Sequence, residues 1–183
     1  MGSKGAGYTY EVLEYDARIE LLGIDGRSAR YTRMERVRFL KDTSTVYDHG
    51  WGNGIAFAEH DVSHGKFTDK KLIGSRLRSA VRLPELQRKG DELAFTFERL
   101  LQNGFEAPSE WWLEAELYHP TRHITLTVLF PSSRPVRSAR VVTLENPGGT
   151  VLRLGRTPDG RQSISYQEEN PRVGQRFTVL WDW

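Results

Sequence analysis

Hydrophobic and polar residues alternate along most of this chain, and the alternation sets its fold class. The stretch Glu110–Pro131 shows it best. Pairing outward from Pro120-Thr121 sets Leu117 opposite Ile124, Ala115 opposite Leu126, Leu113 opposite Val128 and Trp111 opposite Phe130. Tyr118 then meets His123, Glu116 meets Thr125 and Glu114 meets Thr127. One face is apolar and the other mostly polar, as a half-buried antiparallel pair requires. The stretch is therefore predicted to be a β-hairpin.

Leu13–Leu21 alternates in the same way. Leu13, Tyr15, Ala17, Ile19 and Leu21 share one face, and Glu14, Asp16, Arg18 and Glu20 the other. A second strand is predicted over Ser28–Leu40, with Ala29, Tyr31, Val37 and Phe39 in phase. A two-residue Asp-Gly loop would set apolar residues opposite polar ones. A three-residue loop, Asp25-Gly26-Arg27, restores the phase and sets Leu21 opposite Tyr31. Asp16 then meets Arg36 and Glu14 meets Arg38, outside the core.

Arg76–Leu83 reads as a further strand. Glu92–Leu101 fits a strand through Leu93, Phe95 and Phe97, and a helix through Leu93, Phe97, Leu100 and Leu101. Its Phe-Thr-Phe centre favours the strand. Arg137–Leu144, Val151–Leu154 and the segment around Ile164 and Tyr166 follow, separated by turns at Asn146–Gly149 and Pro158–Gly160. Phe177, Val179, Trp181 and Trp183 close the chain on one face. Asp42–Ser75 differs: it holds five glycines, and only Gly54–Glu59 in it reads as a short strand. The rest is predicted to be a long loop, and such loops in a compact domain are usually functional or mobile.

Roughly ten or eleven short strands with regular turn signals indicate an all-β fold. The expectation is an antiparallel β-sandwich, immunoglobulin-like or jelly-roll-like, forming one domain over residues 8–183. Residues 1–7 read as an expression scar or disordered start. The strand pattern resembles immunoglobulin-like sandwiches in general, without the disulfide pair of antibody domains; that architecture implies no single function.

Composition narrows the chemistry. Of 183 residues, 11% are aromatic, enough to build a core although only 38% are hydrophobic. Lys plus Arg number 26 and Asp plus Glu 24, so the formal net charge is only +2. That balance argues against a dedicated nucleic-acid binder. There is no cysteine, which excludes disulfides, a thiolate nucleophile and Cys-ligated metals. No apolar run reaches the ~18 residues of a membrane-spanning helix.

Candidate chemistry is sparse. His60-Asp61-x-x-His64 and His119-x-x-x-His123 carry a spacing that grips a metal when it lies on a helix. Neither reads as helix, so no metal and no cofactor are expected. The loop Asp48–Gly54 is more suggestive. Its glycines let a ligand approach the backbone, Trp51 offers a stacking face, and Asp48, His49 and Asn53 offer donors and acceptors. Trp112 neighbours the core-facing Trp111 and so points outward. The candidate ligand-binding residues are His49, Trp51, Asn53 and Trp112. Arg30, Arg33, Arg36 and Arg38 are expected on a solvated, salt-bridged sheet face. No G-x-S-x-G elbow occurs, and no catalytic residue is named.

These features predict a non-enzymatic interaction or regulatory module, part of a larger cytoplasmic bacterial protein. Its partner would be another protein or a neighbouring domain of a longer chain, with nucleic acid and membrane disfavoured. The alternatives are a carbohydrate- or small-molecule-binding sandwich using Trp51 and Trp112, and a metal-dependent enzyme using the histidine loop.

Overall fold

A computed structural model describes residues 7–51, 59–73, 76–107 and 111–183. Among the described residues the chain is all β. Its strands are β1 (Tyr10–Leu21), β2 (Ser28–Phe39), β3 (Thr43–Trp51), β4 (Glu59–Val62), β5 (Lys66–Ile73), β6 (Arg76–Gln87) and β7 (Glu92–Gln102). Then come β8 (Trp112–Glu116), β9 (His123–Leu129), β10 (Ser138–Val142), β11 (Thr150–Val151), β12 (Leu154–Arg156), β13 (Gln162–Glu169) and β14 (Arg176–Asp182). They form a seven-stranded sheet in the order β12-β13-β9-β1-β2-β7-β4, a four-stranded sheet β11-β10-β14-β8 and a three-stranded sheet β3-β6-β5.

The architecture is a β-sandwich with two sheets side by side on one face of the large one. Tyr166 of β13 packs on Phe177 of β14 with ring centroids 5.5 Å apart, and Phe130 packs on Trp181 at 5.9 Å. These contacts seat the four-stranded sheet over the β9–β13 half. Phe67 of β5 meets Phe97 of β7 at 6.2 Å, and the Tyr47 amide donates to the Tyr10 hydroxyl. Those contacts seat the three-stranded sheet over the β1–β7 half. Trp181 and Trp183 are buried as their phase predicts.

Facing is as the alternation predicts, but pairing is not. Leu113, Ala115, Leu117, Leu126, Val128 and Phe130 are all buried. Their strands nevertheless do not pair. β8 pairs with β14, while β9 lies between β1 and β13. The stretch crosses from one sheet to the other, so its two apolar faces meet across the core. Both arrangements bury the same residues, and only non-local partners decide between them. The β1–β9 pair is parallel, with Ala17 opposite Leu126, so the sandwich is not wholly antiparallel.

The first hairpin keeps its faces and shifts by two residues. Ile19 meets Tyr31, Leu21 meets Ala29 and Glu14 meets Arg36. The connection is longer than three residues because it docks on the chain near Phe105. The Phe105 amide donates to the Gly26 carbonyl. At Gly26 φ is +71°, and a Cβ would lie 2.0 Å from the Phe105 oxygen, so glycine is required. A bulge between Val12 and Glu14 then shifts the register, and both Val12 and Leu13 are buried.

The long-loop expectation for Asp42–Ser75 is corrected. The segment supplies β3, β4 and β5. Its charged residues interrupt the alternation, yet β3 and β5 pair on either side of β6 and β4 pairs with β7. The strand expected at Gly54–Glu59 lies outside the described residues except at Glu59. Glu92–Leu101 is strand β7, not helix. Val151–Leu154 is split, because Thr150–Val151 pairs with β10 and Leu154–Arg156 with β13.

Candidate functional site

The main polar feature is a charged cluster shut between two sheets. On β2 the inward phase of Tyr31 and Val37 includes Arg33 and Glu35. On β7 the phase of Phe95 and Phe97 includes Arg99. On β3 the phase of Val46 includes Asp48. All four charged residues are buried, Asp48 completely. Arg33 Nη2 donates to Asp48 Oδ1 at 2.6 Å, and Arg99 Nη2 donates to Asp48 Oδ2. Arg33 Nη1 donates to the His49 carbonyl at 2.8 Å, and its Nε lies 2.9 Å from Glu35 Oε1. The Arg33 guanidinium also sits 4.6 Å from the Phe97 ring centroid. Such a cluster is held only because each charge has a partner.

Burial governs the titration here. It pushes the Glu35 carboxyl up, against the pull of Arg33, and Asp48 adds to the rise. It also pushes up the Tyr10 and Tyr15 hydroxyls. His49 and His119 border the cluster at the seam between the two smaller sheets. The His49 ring stacks on Tyr118 and the His119 ring on Tyr10, both with centroids 4.0 Å apart. Burial lowers each histidine to about 4, with Arg33 and Arg78 reinforcing the effect at His49.

The outer face of the seven-stranded sheet carries a different pattern. Arg36 bonds Glu14 at 2.7 Å and Glu92 at 3.0 Å, and Arg38 bonds Glu92 at 2.6 Å and Glu11 at 3.3 Å. The expected salt-bridged face is present, with partners shifted by the register. Arg33 departs from it, because its phase turns it inward. A cavity of about 530 Å³ opens on this face beside the β1 bulge, lined in part by Leu13, Asp16, Met34, Arg122 and His123.

Two of the sequence candidates, His49 and Trp112, lie among residues whose side chains are described. His49 lies on β3 at the cluster. Trp112 lies half-buried on β8, opposite Leu180. Tyr118, which stacks on His49, is six residues beyond Trp112, about 20 Å of extended chain. The Trp51 side chain and Asn53 lie outside the described residues. Pattern reading missed Glu35 and Arg99, set Arg33 on a solvated face and took Asp48 for a loop residue, whereas all four are buried together. A signal existed, since each occupies a core-phase position in its strand.

The other histidines with described side chains, His123 and His64, have polar partners of their own. His123 Nδ1 lies 2.8 Å from Glu169 Oε1 and its Nε2 3.0 Å from Thr125 Oγ1, while His64 Nδ1 lies 3.1 Å from Ser63 Oγ. Among the described residues no three His, Cys, Asp or Glu side chains are placed to hold a metal ion.

No protein-family model matches the chain, and no curated protein matches it. Solved structures do. The M1 zinc metallopeptidase from Deinococcus radiodurans is similar over 93% of this chain and 42% of its own, with 12% identity and a TM-score of 0.50. A mutant of that enzyme bound to a Tyr-Ser-Ala substrate matches with a TM-score of 0.51 at 12% identity over the same shares. A putative protease from Parabacteroides distasonis matches over 97% of this chain and 41% of its own, with 10% identity and a TM-score of 0.59. The likeness is one of fold. This chain spans about two fifths of the length of the structures it matches. The expected interaction or regulatory module is corrected by these neighbours, in which the same fold is one part of a peptidase chain. Zinc, named for the Deinococcus enzyme, does not fit the donors described here, since they are not gathered.

Proposed function

We propose that this chain is the β-sandwich domain of a peptidase, with the hydrolytic residues carried elsewhere in the protein or assembly to which it belongs. The observation that supports this reading is the asymmetry of coverage: the fold match takes in 93–97% of this chain but only 41–42% of the solved peptidase chains. The interior is consistent with a stiff frame. The Arg33–Asp48–Arg99 cluster ties the three-stranded sheet to the seven-stranded one, and paired buried charges hold a packing geometry that apolar contacts alone leave freer. A frame of this kind would hold its outer surfaces fixed relative to an active site.

The test is enzymatic. The native protein or complex containing this chain is purified from its source and assayed against a panel of aminoacyl-4-nitroanilides, before and after chelation with 1,10-phenanthroline. The expected result is hydrolysis that disappears on chelation and returns with zinc. A zinc-loaded preparation that cleaves nothing in the panel, nor a set of mixed peptides, overturns the reading.

A further inference from the structure

The cavity on the outer face of the seven-stranded sheet is an open hollow with a mixed polar and apolar lining. Its volume of about 530 Å³ falls within the range of small-molecule sites, roughly 300–1,000 Å³. It lies where β1 bulges between Val12 and Glu14, and bulges bend a strand and re-aim its side chains. The lining combines apolar and charged groups. Leu13 is buried yet outside the contiguous core cluster, and Met34 lies opposite Asp16 on β2. Glu14, Asp16 and Glu169 bring carboxylates.

The cations nearby are mostly committed. Arg36 bonds Glu14 and Glu92. Arg122 bonds Glu11 at 3.1 Å. Glu169 is tied to His123. Asp16 is exposed, and among the described residues it has no ion-pair partner. The cavity therefore joins an apolar wall to an unmatched negative charge.

We propose that this cavity takes an aliphatic cation, a primary ammonium on a short apolar stem such as a lysine side chain of a peptide. Asp16 matches the ammonium, and Met34 and Leu13 match the stem. Thr125, next to Asp16 across the parallel β9 pairing, adds a hydroxyl acceptor. The assignment goes beyond the peptidase reading and does not depend on it.

The test uses the whole isotope-labelled chain and two probes followed by NMR. Nα-acetyl-lysine amide carries the ammonium, and Nα-acetyl-norleucine amide has a similar stem without it. Saturable shifts at the Asp16, Met34 and Thr125 amides are expected with the lysine probe only. Asp16→Asn, an exposed and nearly isosteric change, is expected to weaken binding about tenfold or more, as loss of one charge-assisted hydrogen bond does. Glu145→Gln, in the distant Glu145–Arg172 pair, is expected to leave it unchanged. Absence of saturation, equal binding of the norleucine probe, or equal weakening by the two substitutions overturns the proposal. Because nothing is cleaved in this experiment, its failure leaves the peptidase reading standing, and the reverse also holds.

Discussion

Arg33 and Asp48 form an ion pair of 2.6 Å across two sheets, with the Arg33 side chain 2% exposed and the Asp48 side chain not exposed at all. Arg33 comes from the seven-stranded sheet and Asp48 from the three-stranded one. Asp48 also receives Arg99. One carboxylate thus bonds two buried guanidiniums, and Glu35 brings a second carboxylate beside Arg33.

Asp48→Ala is expected to be severe, because it removes the carboxylate that two buried guanidiniums share. Removing one partner of a buried pair typically costs about 3–5 kcal/mol. Glu92→Ala removes a carboxylate that bonds Arg36 and Arg38 in solvent, and exposed pairs contribute about 0–1 kcal/mol. Urea denaturation of the two variants checks the contrast. Similar losses would mean that the cluster is hydrated.

The parallel pairing of β1 with β9 can be tested by cross-linking, since the chain has no cysteine of its own. Arg18 and Thr127 are partners in that pair. Neighbouring strands bring such residues to about 5 Å, within disulfide reach. Arg18→Cys with Thr127→Cys is expected to oxidise readily to an intramolecular disulfide. Glu116→Cys with Thr125→Cys, neighbours only if β8 and β9 formed a hairpin, is expected to remain reduced. Mass spectrometry after mild oxidation reads both, and the opposite outcome would restore the hairpin.

Facing within β9 predicts a further contrast. Leu126 is 1% exposed and packs in the core, while Thr127 lies half-buried on the other face. Leu126→Asp buries an unpaired charge and is expected to cost several kcal/mol. Thr127→Asp is expected to cost less than about 1 kcal/mol. Thermal melts separate the two, and equal losses would reverse the assigned faces.

Acid is expected to loosen the seam where His49 and His119 lie. Both titrate near 4 in the folded protein, against about 6.5 in an unfolded chain. Below about pH 6.5 the unfolded chain takes up the protons first. The stability these residues hold is therefore complete above that value and is lost as pH falls toward 4. Each pH unit of that gap is worth about 1.4 kcal/mol per histidine. Glu35 opposes part of the loss, because its raised value means that the folded state accepts a proton before the unfolded one. Urea denaturation at pH 7, 5.5 and 4.5 is expected to show a steep decline that a His49→Phe, His119→Phe variant flattens. Parallel declines in the two proteins would rule out the histidines as the cause.

Alternation alone shows which residues of most strands face inward. A strand repeats every two residues, so Tyr15–Leu21, Leu113–Leu117, Ile124–Phe130 and Phe177–Trp183 announce their buried sides without knowledge of any partner, while the bulge takes Leu13 out of the core cluster. The same period hides pairing. A shift of two residues, as between Ile19 and Tyr31, leaves every face unchanged. Replacing a hairpin by strands in two opposed sheets leaves Leu113 and Leu126 equally buried. The charged cluster was legible only as an anomaly, with Arg33, Glu35, Asp48 and Arg99 at core positions of strands far apart in sequence. That these residues meet follows from the stacking of separate sheets, because a buried charge is tolerated through a partner and the partner of Arg33 and Arg99, Asp48, belongs to another sheet. The cavity beside Asp16 likewise depends on a bulge and on the neighbouring strand β9, and neither can be read from β1 alone.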